Sequence, residues 1–142
     1  MATDGNTNTC SRQGKSSTTK NLSWSIRLPF NESINEIQIT TNTWSLVYFK
    51  NFEVFVGYIS ISGNDDDVNK QTCFRQGHDI PKTTTFTILC DKPIIGNDVK
   101  IELEESQNVL NLCDVRINGG IFIMYYTFSN HSLSLTNLVG KW

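Results

Sequence analysis

The chain has 142 residues, a length that suits one domain with its own hydrophobic core. Its formal net charge of -2 excludes a generic nucleic-acid binder, because such proteins carry a basic excess. Aromatic residues at 11% exclude a disordered chain. A surface rich in Asn, Thr and Ser, with only 18% charged residues, is typical of an all-β extracellular module.

The first half of the chain predicts a loop and then three strands. Residues 4–23 are rich in Gly and in hydroxyl-bearing side chains, as loops are. Residues 24–28 and 34–40 alternate apolar and polar side chains, which is typical of half-buried strands, and residues 29–33 between them predict a turn. A third strand, which ends near residue 61, has an apolar face made by Phe52, Val54, Val56 and Tyr58.

The second half predicts three further strands. Residues 84–90 are β-branched and aromatic, residues 96–98 predict a turn, and residues 99–103 alternate again. Residues 109–117 are the last strong strand, and residues 121–128 form either an added strand or an exposed remnant. No segment has a helical period. Short strands spaced about ten residues apart predict an antiparallel β-sandwich or barrel.

Four cysteines indicate disulfide bonds rather than a zinc site. Zinc sites use closely spaced cysteine pairs, and the chain has no C-x-x-C. Two disulfides are the simpler interpretation, and spacing alone leaves three connectivities open. The cysteines are Cys10, Cys73, Cys90 and Cys113.

Glycosylation signals favour the secretory route. N-x-S sequons occur at Asn21, Asn31 and Asn130. Residues 1–20 lack the apolar stretch of a signal peptide, so the chain is either cytosolic or a fragment whose export signal lies upstream; the cysteines favour the second. The longest apolar stretch, residues 121–128, is far below the roughly 20 residues that span a bilayer, which predicts no membrane insertion.

Five short motifs follow one another along residues 2–118. They are A-T-D-G-N-T at 2–7, W-S-I-R-L at 24–28, N-F-E-V-F-V-G at 51–57, G-N-D-V-K-I at 96–101 and L-N-L-C-D-V-R-I at 110–117. This series resembles the F-type lectin (fucolectin) family, within the discoidin-like, galactose-binding jelly-roll group.

The resemblance implies an antiparallel eight-stranded β-sandwich. The family's first strand, which precedes A-x-D-G-N, has no counterpart in the sequence, and residues 119–142 run past the family's usual end. We therefore expect a domain over residues 1–118 and a C-terminal extension over residues 119–142. The resemblance also implies disulfides between Cys10 and Cys113 and between Cys73 and Cys90.

A calcium site is a further implication of the resemblance. Ca²⁺ takes hard oxygen ligands from carboxylates, amides, hydroxyls and carbonyls, held by a tight loop. The alternative is that residues 4–6 form only an Asx turn. The implied ligands are the side chains of Asp4, Asn6, Thr9 and Asp114 and the carbonyl oxygen of Cys113.

The sugar site of the family is altered in this sequence. Fucose-binding members use a His and an R-x-D-x4-R/K element just before the N-F-x-V strand. The three charged positions fall on Thr41, Thr43 and Tyr48, and none keeps its charge. Trp44 and Tyr48 are either an aromatic platform for a sugar or part of the core. The loop that would carry the His contains the basic residues Arg12, Lys15 and Lys20.

Catalysis is not expected. His78 and His131 have no neighbouring motif of a hydrolase or metalloprotease. We expect an extracellular, calcium-stabilised, lectin-like module whose partner is a glycan or glycoprotein, with a fucosylated glycan as one candidate. The alternative is a structural or adhesion segment of a larger cell-surface or secreted protein that binds no sugar.

Overall fold

The computed structural model describes residues 5–14, 21–58, 69–104, 109–121 and 138–141. These residues form eight strands and one 3-10 helix. In chain order they are β1 (Ser11–Gly14), β2 (Ser23–Thr40), the 3-10 helix (Thr43–Tyr48), β3 (Phe52–Gly57), β4 (Gln71–Arg75), β5 (Thr85–Leu103), β6 (Val109–Leu112), β7 (Asp114–Ile121) and β8 (Leu138–Lys141). No helix in this part of the chain has the length and apolar character needed to cross a membrane.

All strand pairs are antiparallel, and they form two sheets. The large sheet has six strands in the order β4-β3-β5-β2-β7-β8, and the small sheet pairs β1 with β6. The long strands β2 and β5 lie at the centre of the large sheet. The prediction of an all-β antiparallel fold is confirmed.

The turn predicted at residues 29–33 is wrong. β2 continues through this segment, and its pairing with β5 shifts register between Arg27 and Glu32. A β-bulge bends a strand without reversing it, and it also accommodates Pro29, which has no N–H to donate to a ladder.

The turn predicted at residues 96–98 is also wrong, because these residues lie inside β5. Gly96 is required for close packing: a Cβ at this position would overlap the carbonyl oxygen of Gly57 on β3. Glycine therefore marks the close approach of two strands here.

The strand predicted over residues 109–117 is divided at Cys113. β6 ends before this residue and belongs to the small sheet, whereas β7 begins after it and pairs with β2. The backbone N–H of Cys113 donates to the carbonyl of Thr40 at 2.7 Å. Alternation within the sequence does not reveal the change of sheet, because both strands bury apolar side chains.

Residues 43–48 form a 3-10 helix where no helical period predicts one. The side-chain oxygen of Asn42 caps it by accepting the backbone N–H of Ser45 at 3.1 Å. Short 3-10 turns are connectors whose formation depends on caps and on neighbouring packing more than on periodicity.

One hydrophobic core lies between the sheets. The predicted apolar faces of residues 99–103 and 115–117 are buried, as are Phe52, Val54 and Val56. Tyr58, predicted on the same face as these three, lies beyond the end of β3 and is exposed, whereas residues 59–61 are outside the described residues. Four phenylalanine rings pack with centroids 5.4–6.1 Å apart: Phe49, Phe52, Phe74 and Phe86.

Two disulfides close the fold. Cys10 is bonded to Cys113 and Cys73 to Cys90, which is the pairing that the family resemblance implied. The first joins the residue before β1 to the junction between β6 and β7, and the second joins β4 to β5.

The C-terminal residues extend the large sheet. β7 runs to Ile121, and β8 pairs with it so that Leu138 lies opposite Gly119. The strand predicted over residues 121–128 falls, after Ile121, outside the described residues.

Candidate functional site

The 3-10 helix presents two aromatic residues at the surface. Trp44 is 49% exposed, and its ring meets that of Tyr48 edge-on at a centroid distance of 6.5 Å. Ser45 lies between them in sequence and is fully buried, so it anchors the helix to the body of the domain. Trp44, with the half-buried Tyr48 beside it, is therefore an aromatic platform at the surface, and neither residue belongs to the buried core.

Arg12 of β1 joins this platform. Its guanidinium carbon lies 5.0 Å from the centroid of the Trp44 ring, a cation–π distance. We call Arg12, Thr43, Trp44 and Tyr48 the Arg12–Trp44 surface. The sequence had singled out Arg12 only as one basic residue of a loop. The side chains of Lys15 and Lys20, from the same loop, lie outside the described residues.

Thr41 lies beneath this surface and not on it. It is buried, its hydroxyl donates to the carbonyl of Asn111 at 2.7 Å, and its backbone N–H donates to the carbonyl of Thr84 at 2.8 Å. Thr43, in contrast, is exposed. Of the three positions that carry charge in fucose-binding F-type lectins, one is thus internal and the other two belong to the surface.

Two buried polar groups lie near the Arg12–Trp44 surface. Asn111 pairs directly with Arg12 across β1 and β6, and directly opposed residues of an antiparallel pair point to the same face. The Asn111 side-chain nitrogen and the Ser45 hydroxyl have no hydrogen-bond partner within the described part of the chain.

A cavity of about 300 Å³ is lined in part by Arg12. It opens between the small sheet and the start of β2. Its walls combine the apolar side chains of Trp24, Leu110 and Leu112 with the polar residues Ser11, Gln13 and Ser23.

A separate cavity of about 330 Å³ lies at the other side of the large sheet. Glu102 lines this cavity. Burial alone would raise the pKa of its carboxyl. The hydrogen bond and charge of Lys100 and the hydrogen bond from Asn21 outweigh burial, so the pKa lies below its ordinary value. Its other polar lining residues are Asn51, Glu53 and Glu104. Two of its carboxylates pair with basic side chains, Glu53 with Arg75 and Glu102 with Lys100.

The implied calcium loop forms a tight turn. Gly5 has a φ of 71°, a backbone conformation that glycine adopts without strain. The side-chain oxygen of Asn6 accepts the N–H of Asn8 at 3.0 Å, and the hydroxyl of Thr9 donates to the Asn6 carbonyl at 3.1 Å. The bond from Asn8 to the Asn6 side chain makes an Asx turn at residues 6–8, whereas the alternative stated from the sequence is an Asx turn over residues 4–6. Asp4 is outside the described residues.

Asp114 is held next to this turn by the Cys10–Cys113 disulfide. Its carboxylate is 3% exposed and accepts the Nε–H of Arg116 at 2.9 Å. Within the described residues, no three His, Cys, Asp or Glu side chains come close enough to hold a metal ion. The donors that fit Ca²⁺ are oxygens alone: the Asp114 carboxylate, the Asn6 amide, the Thr9 hydroxyl and the Cys113 carbonyl.

The sequons differ in their surroundings. Asn21 is exposed, although its amide donates to Glu102 at 3.1 Å, whereas Asn31 is half-buried inside β2. Asn130 is outside the described residues.

A family model described as NedA-like, galactose-binding domain, of the F5/8 type C group, matches residues 1–101. No curated protein matches the chain.

Solved structures share the fold. An F-lectin (fucolectin) from the serum of Morone saxatilis, the striped bass, is 23% identical, with a TM-score of 0.67 over 84% of this chain and 41% of that one. The family 32 carbohydrate-binding module of Clostridium perfringens NanJ, solved with galactose, is 19% identical, with a TM-score of 0.59 over 82% and 80%. A fucose-binding module from Streptococcus pneumoniae is 20% identical, with a TM-score of 0.60 over 90% and 83%. The chain thus spans less than half the length of the striped-bass lectin.

Proposed function

Because the chain belongs to the F5/8 type C family of NedA-like, galactose-binding domains, we propose that it is a lectin-like module that binds a glycan or glycoprotein at the Arg12–Trp44 surface. The observation that carries this proposal is the position of the Arg12 guanidinium 5.0 Å from the half-exposed ring of Trp44. The module binds its sugar and does not cleave it.

The chemistry of the surface suits a saccharide. The apolar ring of Trp44 can cover the C–H face of a sugar, and the guanidinium fork of Arg12 can donate two hydrogen bonds to neighbouring oxygens. Thr43 and Tyr48 add hydroxyl groups at the edge. An aromatic wall with a few polar groups is the usual composition of a small-ligand site.

The structural neighbours support glycans as the ligand class. The Clostridium module was solved with galactose, and the pneumococcal module is described as fucose-binding. Galactose, fucose and fucosylated glycans are therefore ligands to be tried on this chain.

A glycan array tests the proposal. We expect the chain to bind a defined set of glycans and Trp44→Ala to weaken binding about 10-fold or more, since an aromatic anchor in a site is worth on the order of 2 kcal/mol. Phe30→Ala is the matched control, because Phe30 is 68% exposed but lies in the bulge of β2. Glycan binding that is unchanged in Trp44→Ala would show that the site lies elsewhere.

We propose an extracellular location for the module. The chain has two disulfides, one that closes a long loop and one that closes a short loop. Such bonds are typical of proteins that fold in an oxidising compartment. Expression in the secretory pathway with peptide mapping tests this: the disulfides should form fully, and the exposed sequon at Asn21 should be the first to carry a glycan.

Calcium stabilisation belongs to the proposal. When bound, Ca²⁺ would supply positive charge to Asp114 and link β7 to the turn at Asn6. The melting temperature should be higher in calcium than in chelator by several degrees, about 4–10 °C for a hundredfold excess over Kd. Asp114→Asn should reduce this difference, whereas Asp91→Asn, at an exposed position of β5, should leave it unchanged. Equal melting temperatures in calcium and chelator would contradict calcium binding.

A structural segment that binds no sugar is the second candidate. It is favoured by Thr41, whose hydroxyl is used internally at a position where sugar-binding F-type lectins carry a charge. The same array separates the two candidates, since a structural segment binds no glycan in calcium or in chelator.

A further inference from the structure

We propose that the saccharide bound at the Arg12–Trp44 surface is acidic, with its carboxylate or sulfate group held by the guanidinium of Arg12. This inference rests on the proposed function, because it names the class of sugar that the same surface takes.

The first observation concerns the interaction partners of the Arg12 guanidinium. Within the described residues, no carboxylate lies within ion-pair distance of its guanidinium, which instead lies over the Trp44 ring. Three carboxylates among the described residues have a basic partner other than Arg12: Glu53 pairs with Arg75, Glu102 with Lys100 and Asp114 with Arg116. The planar guanidinium matches the geometry of a carboxylate with two parallel hydrogen bonds, and stacking on an aromatic ring holds that fork in place.

The second observation is the composition of the surroundings. Among the described residues, β1, the 3-10 helix and the walls of the adjoining cavity contain no acidic side chain. A site for neutral sugar hydroxyls commonly combines a guanidinium donor with a carboxylate acceptor. Here the position that carries the Asp in fucose-binding F-type lectins is Thr43. Positive charge without a compensating carboxylate favours a ligand that brings the negative charge itself.

The third observation is a second donor on the same face. Asn111 lies opposite Arg12 and is 2% exposed, and its side-chain nitrogen has no acceptor among the described residues. An unsatisfied buried donor costs free energy that an oxygen-rich partner, reached directly or through water, recovers. A buried N–H donor on the same face as the guanidinium adds a second group that can donate to an anion.

Binding of three immobilised sugars tests the inference: lactose, sialyllactose and sulfated lactose. We expect at least one acidic form to bind about 10-fold to 100-fold more tightly than lactose, as a charge-assisted hydrogen-bond pair does. The advantage should shrink between ~20 mM and ~500 mM NaCl, because the charges are at the surface. The two acidic forms distinguish a carboxylate ligand from a sulfate ligand.

Variants assign the effect to Arg12. Arg12→Gln should weaken binding of the acidic sugar more than binding of lactose and so abolish the preference for the acidic sugar. Arg12→Lys should keep part of the preference because it keeps the charge without the fork. Arg75→Gln is the control, since it removes one positive charge from an exposed side chain paired with Glu53 on β3. If Arg12→Gln does not fold, Arg12→Lys replaces it in the binding measurements, after thermal melting has shown that Arg12→Lys is folded.

The outcomes separate the two proposals. Equal or tighter binding of lactose than of both acidic sugars overturns the acidic-ligand inference and leaves glycan binding at this surface intact. An equal loss of acidic and neutral binding in Arg12→Gln overturns it as well. Absence of binding to every neutral and acidic glycan of an array overturns both proposals.

Discussion

At the scale of single residues, close contact between backbones decides which glycines the fold requires. Gly119 lies in β7 opposite β2, and a Cβ there would overlap the carbonyl oxygen of Ser33. Gly14, in β1, has no atom within 4 Å of the position of a Cβ. Both glycines lie in strands of the structure, and only the contact with a neighbouring strand distinguishes them.

Gly119→Ala should therefore destabilise the protein, whereas Gly14→Ala should not. The overlap with the Ser33 backbone forces one strand to move, which typically costs about 1–3 kcal/mol. Urea denaturation measures both variants against the wild type. Equal midpoints for the two variants would contradict the close contact between β7 and β2.

The buried carboxyl of Glu32 makes the stability of the protein depend on pH. Burial raises the pKa of this carboxyl, which is 7% exposed in the bulged region of β2. Because the folded-state pKa lies above the unfolded-state value, the contribution of Glu32 to stability is complete below the unfolded pKa and is lost as the pH rises through the folded pKa.

Glu32→Gln should thus gain stability relative to the wild type as the pH rises from about 4 to about 7, since glutamine keeps the shape of the protonated acid without its ionisation. Denaturation midpoints at several pH values measure the difference between the two proteins. A difference that stays constant over this range would contradict a raised pKa.

At the scale of elements, the 3-10 helix depends on its cap. Asn42 accepts the backbone N–H of Ser45, and Ser45 is buried, so one hydrogen bond sets the direction of the segment that presents Trp44 and Tyr48. No period in the sequence predicts this helix, because its 6 residues make only about two 3-10 turns, too few to show a period.

Asn42→Ala should lower stability by about 1 kcal/mol, the usual cost of a lost N-cap, and should weaken glycan binding as well. Asn42→Asp, which keeps an acceptor oxygen, should restore both properties. Thermal melting and the glycan array measure them. Full glycan binding by a destabilised Asn42→Ala protein would show that the helix does not orient the aromatic residues.

At the scale of the whole molecule, the Cys10–Cys113 disulfide holds the two sheets and the proposed sites together. It closes a loop with a sequence separation of 103, and the Cys73–Cys90 disulfide one of 17. The first also places β1, and with it Arg12, next to the junction of β6 and β7. Loop-closure entropy makes the longer connection the more stabilising one.

Replacing Cys10 and Cys113 together by serine should cost more stability than replacing Cys73 and Cys90. The chain-entropy estimates are about 4.7 kcal/mol for a loop of about 100 residues and about 3 kcal/mol for one of about 15. Guanidinium denaturation measures both double variants. Only the first should also weaken glycan binding, because it releases β1. An equal effect of both pairs on binding would contradict this link.

The sequence predicted the strands of this fold better than its turns. Alternation over residues 34–40 and 99–103 predicted strands that bury their apolar faces, since side chains on a strand alternate between its two sides whatever its partner is. Glycine and proline predicted turns at residues 29–33 and 96–98 and were misleading, because the same residues also permit bulges and close strand contacts.

For the candidate site, the family resemblance pointed to Thr41, Thr43 and Tyr48 just before β3. The sequence offered Trp44 and Tyr48 as an aromatic platform or as core, and Arg12 only as a nearby basic residue. That Trp44 is exposed, that Thr41 is internal and that Arg12 lies over Trp44 depend on the docking of the 3-10 helix against the small sheet. Local patterns therefore determined the all-β character and the faces of the strands, since both arise from neighbours in the chain. Only the tertiary structure decided which distant side chains meet, because those contacts form between segments that the chain itself does not connect.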